Sequence, residues 1–207
     1  MPHSPSPRRK IMLVTDQGET LLHLARAAIG KELGFRSHDL PRTAWLEEPG
    51  ATFVTLMLDG QLHGCIGTLE ACRPLIDDVC QNAVSSAFRD PRFPPLTKEE
   101  FADVQVEVSL LSKPQLISHS REEDALAQLS PGQDGVIFEY GHYRSTYLPQ
   151  VWAQLPDPQS FIANLKNKAG LPSDFWSDEV RLSHYTVQKW REGELPQGGQ
   201  PLGERHG

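Results

Sequence analysis

The chain has 207 residues, 38% of them apolar, and a formal net charge of −7. That is enough apolar material for a globular core, and no apolar run approaches the ~20 residues that span a bilayer. The acidic balance weighs against a protein that holds nucleic acid mainly through its phosphates.

The opening MPHSPSPRRK is polar and proline-rich and lacks the apolar stretch of a signal peptide. Residues 1–14 are therefore expected to form a flexible tail, and the protein is expected to be cytoplasmic. Thr15–Leu33 is the first predicted helix. Leu21, Leu22, Ala25, Ala28, Ile29 and Leu33 recur at three- and four-residue steps, and Gly34 is placed to end it. Residues 35–50 carry no period and read as a loop. Thr52–Leu58 and Gln61–Thr68 flank Asp59-Gly60, the pair that suits a two-residue primed turn, and so predict a hairpin.

Pro74 opens a helix expected to run to Phe88 with an apolar stripe of Leu75, Ile76, Val79, Cys80, Ala83, Val84 and Ala87. The prolines of RDPRFPP stop it. Thr97–Glu100 and Ser120–Glu123 have the spacing of capping boxes, the second leading into a helix at Ala125–Leu129. Between them Val104–Leu110 alternates, with the valines on one face and Gln105, Glu107 and Ser109 on the other. Val136–Tyr140 and His142–Leu148 predict strands joined through Gly141. A helix follows Asp157-Pro158 and closes at Gly170, and Arg181–Trp190 is the last predicted strand. Residues 191–207 have no core residues to anchor them and read as a second tail. Interspersed helices with hairpin-linked strands imply an α+β fold. The expectation is one domain over 15–190, made of two lobes of mostly antiparallel sheet flanked by helices.

The cysteines, Cys65, Cys72 and Cys80, are odd in number and match no common zinc spacing, so neither a disulfide framework nor a metal site is expected. Chemistry is best sought in LHGCIG, residues 62–67. On a strand, side chains two apart share a face, which would put His63 and Cys65 roughly 6–7 Å apart at their Cα atoms. An adjacent imidazole favours the thiolate, the nucleophilic form of cysteine. Gly64 and Gly67 permit close approach of another backbone or of a ligand. The competing reading is that Cys65 packs as a small hydrophobe.

Glu107 has a valine on either side. With both sheet faces covered it would be buried and paired, able to orient a histidine or act as a general acid–base; with one face wet it would be an ordinary surface acid. Arg144, Thr146 and Tyr147 could bind a carboxylate or phosphate, or simply line the wet face of a hairpin. Arg89-Asp90-Pro91-Arg92-Phe93 reads either as a site loop or as a helix exit held by local Arg–Asp pairs. The chain has no Walker A loop, no GxGxxG after a strand, no HExxH and no GxSxG, and no cofactor is called for.

Taken together, LHGCIGTLE (62–70), RPLIDDVCQNAVSSAFRDPRFPPLT (73–97), VQVEVSLLSKP (104–114), GVIFEYGHYRSTYLPQVW (135–152) and FIANLKNKAGLPSDFW (161–176) resemble, in that order, the AMMECR-type domain, also called AmmeMemoRadiSam system protein A. The resemblance implies an α+β fold of two lobes with a cleft between them, and a signature centred on Gly64, Cys65, Ile66 and Gly67. It also implies gene neighbours that encode a Memo-like protein and a radical-SAM protein, but no settled activity. Two positions depart from the family pattern. His63 stands where arginine is common, which would make anion binding weaker and pH-dependent, or would supply a base. Leu165-Lys166 stands where leucine-cysteine is usual, so no second thiol is supplied there. The expected function is a cytosolic enzyme or enzyme subunit acting on a small organic substrate through Cys65, His63 and Glu107. The alternatives are a non-catalytic partner of the Memo-like and radical-SAM proteins and, disfavoured by charge, a nucleic-acid-binding regulator.

Overall fold

The structure is a computed structural model and describes residues 12–36 and 43–194. Most of the two expected tails and part of the 35–50 loop lie outside the described residues. Helix α1 spans Met12–Glu32. It starts before Thr15 because nothing in Met12-Leu13-Val14 breaks a helix. Gly34 ends it at φ 83°. The Gly34 N–H donates to the Lys31 carbonyl and the Phe35 N–H to the Gly30 carbonyl, the paired bonds of a Schellman cap. The buried stripe is Leu21, Leu24, Ala25 and Ile29.

The strands that follow are β1 (Pro49–Gly50), β2 (Thr52–Leu58), β3 (Gln61–Gly67) and β4 (Arg73–Pro74), then helix α2 (Leu75–Phe88) and strand β5 (Gln105–Leu111). Next come β6 (Gln115–Leu116), α3 (Glu122–Leu126), β7 (Gly135–Tyr140), β8 (Tyr143–Tyr147), α4 (Pro158–Ala169), β9 (Arg181–Tyr185) and β10 (Val187–Arg191). Among the described residues the strands form three sheets, ordered β1-β4, β10-β5-β2-β3 and β6-β9-β7-β8. The β1–β4, β2–β3, β6–β9, β7–β8 and β7–β9 pairings are all antiparallel. The fold is α+β. The chain divides into two compact units, one running through Ser109 and resuming at Lys189, the other comprising Leu110–Gln188.

In the first unit the β2–β3 hairpin turns at Asp59 (φ 51°) and Gly60 (φ 74°), as a primed turn requires. Helix α2 packs on this hairpin with a half-polar face: Leu75, Val79, Ala83 and Ala87 are buried together with Asp78, Asn82 and Ser86. The stripe read from apolar residues alone is thus turned toward polar positions, because this face meets backbone groups and threonines at the strand ends. The Asp78 carboxylate is wholly buried and accepts from the Thr52 N–H and hydroxyl (both 2.7 Å), the Thr68 hydroxyl (2.5 Å), Arg73 Nε (2.9 Å) and the Asn82 amide (3.0 Å). A buried acid is tolerated when its lone pairs are filled in this way.

The second unit is built around Phe138, Phe161, Ile162, Leu165, Leu182 and Trp152. Trp152 stacks on Phe161 at 3.8 Å and donates its indole N–H to the Asp134 carbonyl at 2.6 Å. Helix α4 is capped by Asp157, which accepts the Ser160 N–H, and closes at Gly170 in the left-handed conformation.

Three predicted elements differ. The single strand at 181–190 is two, parted at Thr186, with β9 and β10 in different sheets. Alternation continues across that point, so the pattern does not reveal the change of sheet. The Thr97–Glu100 box forms, with reciprocal bonds, but leads only into the 3₁₀ turn Glu100–Ala102. The Ser120–Glu123 box does not form: Arg121 precedes α3 without a side-chain cap.

Candidate functional site

The signature lies on β3, an edge strand of its sheet. Cys65 pairs with Thr55, Gly64 with Leu56, and Leu62 with Met57. His63 is therefore the extra residue of a β-bulge, the device that re-aims a side chain at a sheet edge. Its cause is next to it. A Cβ on Gly64 would lie 2.0 Å from the Ser86 carbonyl oxygen of α2. The helix backbone presses on the strand there, and Ser86 Oγ bridges the two strands, accepting from the Ile66 N–H (2.9 Å) and donating to the Val54 carbonyl (2.7 Å). At Gly67 a Cβ would lie 2.3 Å from the Phe53 ring. The space left by both glycines is taken by the protein's own atoms.

An exposed edge strand is open to unwanted pairing unless its polar groups are covered. The loop after α2 covers this one at Cys65. Asp90, 4% exposed, accepts the Cys65 N–H at 3.0 Å and the Arg92 N–H at 3.1 Å, and binds the Arg92 guanidinium through Nε (2.9 Å) and Nη2 (2.6 Å). Arg92 Nη2 also donates to the Cys65 carbonyl at 2.9 Å. Both backbone groups of Cys65 are thus held by one acid–base pair. The Arg92 bond, helped by the Cys65 N–H, holds the Asp90 carboxyl well below the usual carboxylate range. Asp90 in turn raises the Arg92 guanidinium above its ordinary value, with a smaller contribution from Cys65.

The Cys65 thiol is half-buried and accepts a hydrogen bond from the Thr55 hydroxyl at 3.3 Å. His63 is 8% exposed, its ring lies 6.3 Å from that of Phe93 in a stacked arrangement, and its buried Nε2 has no hydrogen-bond partner among the described residues. No hydrogen bond joins His63 to Cys65 among the described residues. Glu100, held below its ordinary value by the Thr97 N–H and hydroxyl, also feels the His63 charge. The other cysteines differ. Cys72 is exposed, and burial, aided by Asp77, pushes the Cys80 thiol up to about 11.

Glu107 is buried, since both faces of β5 are covered, and it is paired with Arg191 (2.7 Å) and Lys189 (3.7 Å) of β10. Its contacts make it the ionic tie between neighbouring strands. Arg144, Thr146 and Tyr147 lie on β8 in the second unit. Arg144 pairs across the hairpin with Glu139 at 3.0 Å, the Thr146 and Tyr185 hydroxyls meet at 3.3 Å, and the Tyr147 ring packs edge-on to Phe161 under Lys168. Lys166, in the position where the resemblance implies cysteine, is buried and donates to Glu122 (2.8 Å) and to the Phe175 carbonyl (3.1 Å).

Sequence reasoning missed Thr55, and it left the 89–93 loop undecided. The signal for Asp90 and Arg92 was the Asp-Pro-Arg run at a helix exit, where an aspartate readily accepts the N–H two residues on.

Comparison with known proteins adds the family. The AMMECR1 family model matches residues 22–190. Protein MJ0810 of Methanocaldococcus jannaschii is 38% identical over 196 residues, covering 90% of this chain and 95% of its own. A protein of Methanothermobacter thermautotrophicus is 38% identical over 187 residues, covering 87% and 96%. The crystal structure of the uncharacterized protein PH0010 from Pyrococcus horikoshii superposes with a TM-score of 0.69 at 36% identity, covering 89% of this chain and 95% of that one. On this evidence the chain belongs to the AMMECR1 family.

Proposed function

We propose that this AMMECR1-family protein is an enzyme, or an enzyme subunit, in which Cys65 acts as nucleophile or acid–base on a small organic substrate. The observation that carries the reading is the treatment of Cys65. Its backbone is clamped by Asp90 and Arg92, the residue is half-buried, and its sulfur is bonded by Thr55. The Thr55 hydroxyl donates directly to the sulfur, and the Arg92 guanidinium holds the carbonyl of the same residue. A packed structural cysteine needs neither. His63, buried beside the same loop with an unpartnered Nε2, is the candidate proton carrier. A role beside Memo-like and radical-SAM proteins is part of the proposal and rests on the family resemblance alone.

Site-resolved alkylation at neutral pH tests the thiol. Cys65 is expected to react at least tenfold faster than Cys80, whose thiol burial keeps protonated. Equal rates at the two sites, or full biological activity in Cys65→Ala, would end the nucleophile role. Comparing metabolites of cells with and without the gene addresses the substrate. A second reading, a non-catalytic adaptor for those partner proteins, draws on the exposed Leu62 and Leu69 at the two ends of the signature. It predicts co-purification with the partners that survives Cys65→Ala and is lost on Leu62→Asp.

A further inference from the structure

We infer that the site takes its substrate by a carboxylate, and that Arg92 is the residue that reads it. This rests on the proposed role of Cys65. Asp90 occupies the edge of the guanidinium formed by Nε and Nη2, and the Cys65 carbonyl takes a further Nη2 proton. What remains is Nη1, which has no hydrogen-bond partner among the described residues, on a side chain that is about half exposed at 55%. The bound acid, the Cys65 carbonyl and the Phe93 ring, 5.4 Å from the guanidinium carbon, hold in place the guanidinium that carries that donor. An arginine held in place by a buried acid is pre-organised: its conformational entropy is already spent before a ligand arrives. Tying β3 to the loop alone needs only Nε and Nη2. The spare donor, on the arginine that holds the Cys65 carbonyl, is what an anionic substrate would use. Asp90 is then a positioning residue acting through Arg92.

The test compares iodoacetate, an anion, with iodoacetamide, its neutral isostere, on the full chain, with alkylation read at each cysteine by mass spectrometry. In both reactions the Cys65 sulfur forms the new S–C bond, iodide leaves, and the thiol proton passes to solvent. The iodoacetate-to-iodoacetamide rate ratio at Cys65 is expected to exceed that of a short neutral thiol peptide by about tenfold, the scale of one charge-assisted hydrogen bond. Arg92→Gln should return the ratio to the peptide value, and Arg92→Lys, which keeps the charge, should retain part of the gain. Because the readout is a ratio, general loosening of the loop by either substitution cancels. Propionate should slow the iodoacetate reaction more than inorganic phosphate does. A wild-type ratio equal to the peptide's, or one unchanged in Arg92→Gln, overturns the inference while leaving the thiol proposal standing. Stronger protection by phosphate overturns the carboxylate assignment. Failure of Cys65 to react with either reagent overturns the thiol proposal and this inference with it.

Discussion

At the residue scale, Gly64 shows how a single hydrogen atom shapes the site. Its missing side chain lets the α2 backbone lie against β3, with no room for a Cβ beside the Ser86 carbonyl. That contact is with backbone, which cannot swing away as a flexible side chain can. Gly64→Ala is therefore expected to lose about 1–3 kcal/mol of stability, the range for overpacking, measured by denaturant unfolding. The same substitution should loosen the bulge and raise the exposure of His63, read as faster modification of its imidazole. His63 itself was legible as a residue of interest but not as a bulge residue. Perfect alternation would have paired it on one face with Cys65, and only the press of the helix on the next residue breaks that count.

At the element scale, α3 and α4 are joined by a buried ion pair. Lys166 is 1% exposed, and its ammonium rests on the Glu122 carboxylate and the Phe175 carbonyl. Removing Glu122 leaves the buried ammonium without a counterion, whereas removing Lys166 leaves a carboxylate that is 23% exposed and reached by water. Glu122→Ala is expected to cost about 3 kcal/mol, and Lys166→Met to fall within about 1 kcal/mol of the parent or to stabilise it. Thermal unfolding of the two variants checks the asymmetry, and equal losses would show that the pair is not acting as a buried one. The elements themselves were mostly readable. The Asp59-Gly60 hairpin and α4 appear with their expected turn and caps, and α2 ends at Phe88 as expected although Pro74 lies in β4 just before it, because those signals are local. Ser120–Glu123 had the right letters, yet α3 begins at Glu122 without them. A capping box is worth about 1 kcal/mol, a preference small enough for the packing around the buried Ala125 to override.

At the scale of the whole molecule, stability should follow the acid that holds the signature strand. Arg92 and the Cys65 N–H keep Asp90 ionised well below the usual carboxylate range. A depressed carboxyl contributes its full stabilisation above its unfolded value of about 3.9, and the contribution is lost as pH falls below that toward the folded value. Unfolding midpoints of the parent are thus expected to drop more steeply below about pH 4 than those of Asp90→Asn, with the two profiles running parallel above about pH 5. Parallel profiles throughout would mean that Asp90 gains nothing from its partners. Among the described residues no helix is long and apolar enough to cross a membrane.

The amino-acid order by itself determined the α+β class, the hairpin that carries LHGCIG and the family, because turns, caps and short periodic runs are set by neighbours in the chain. Tertiary structure decided what faces what. It buried Glu107 against Arg191 and Lys189, turned Asp78 and Asn82 of α2 inward, divided the last strand between two sheets, and brought Asp90 and Arg92 back onto Cys65. Those contacts join residues far apart in sequence. Their energies come from desolvation and geometry that no local pattern encodes.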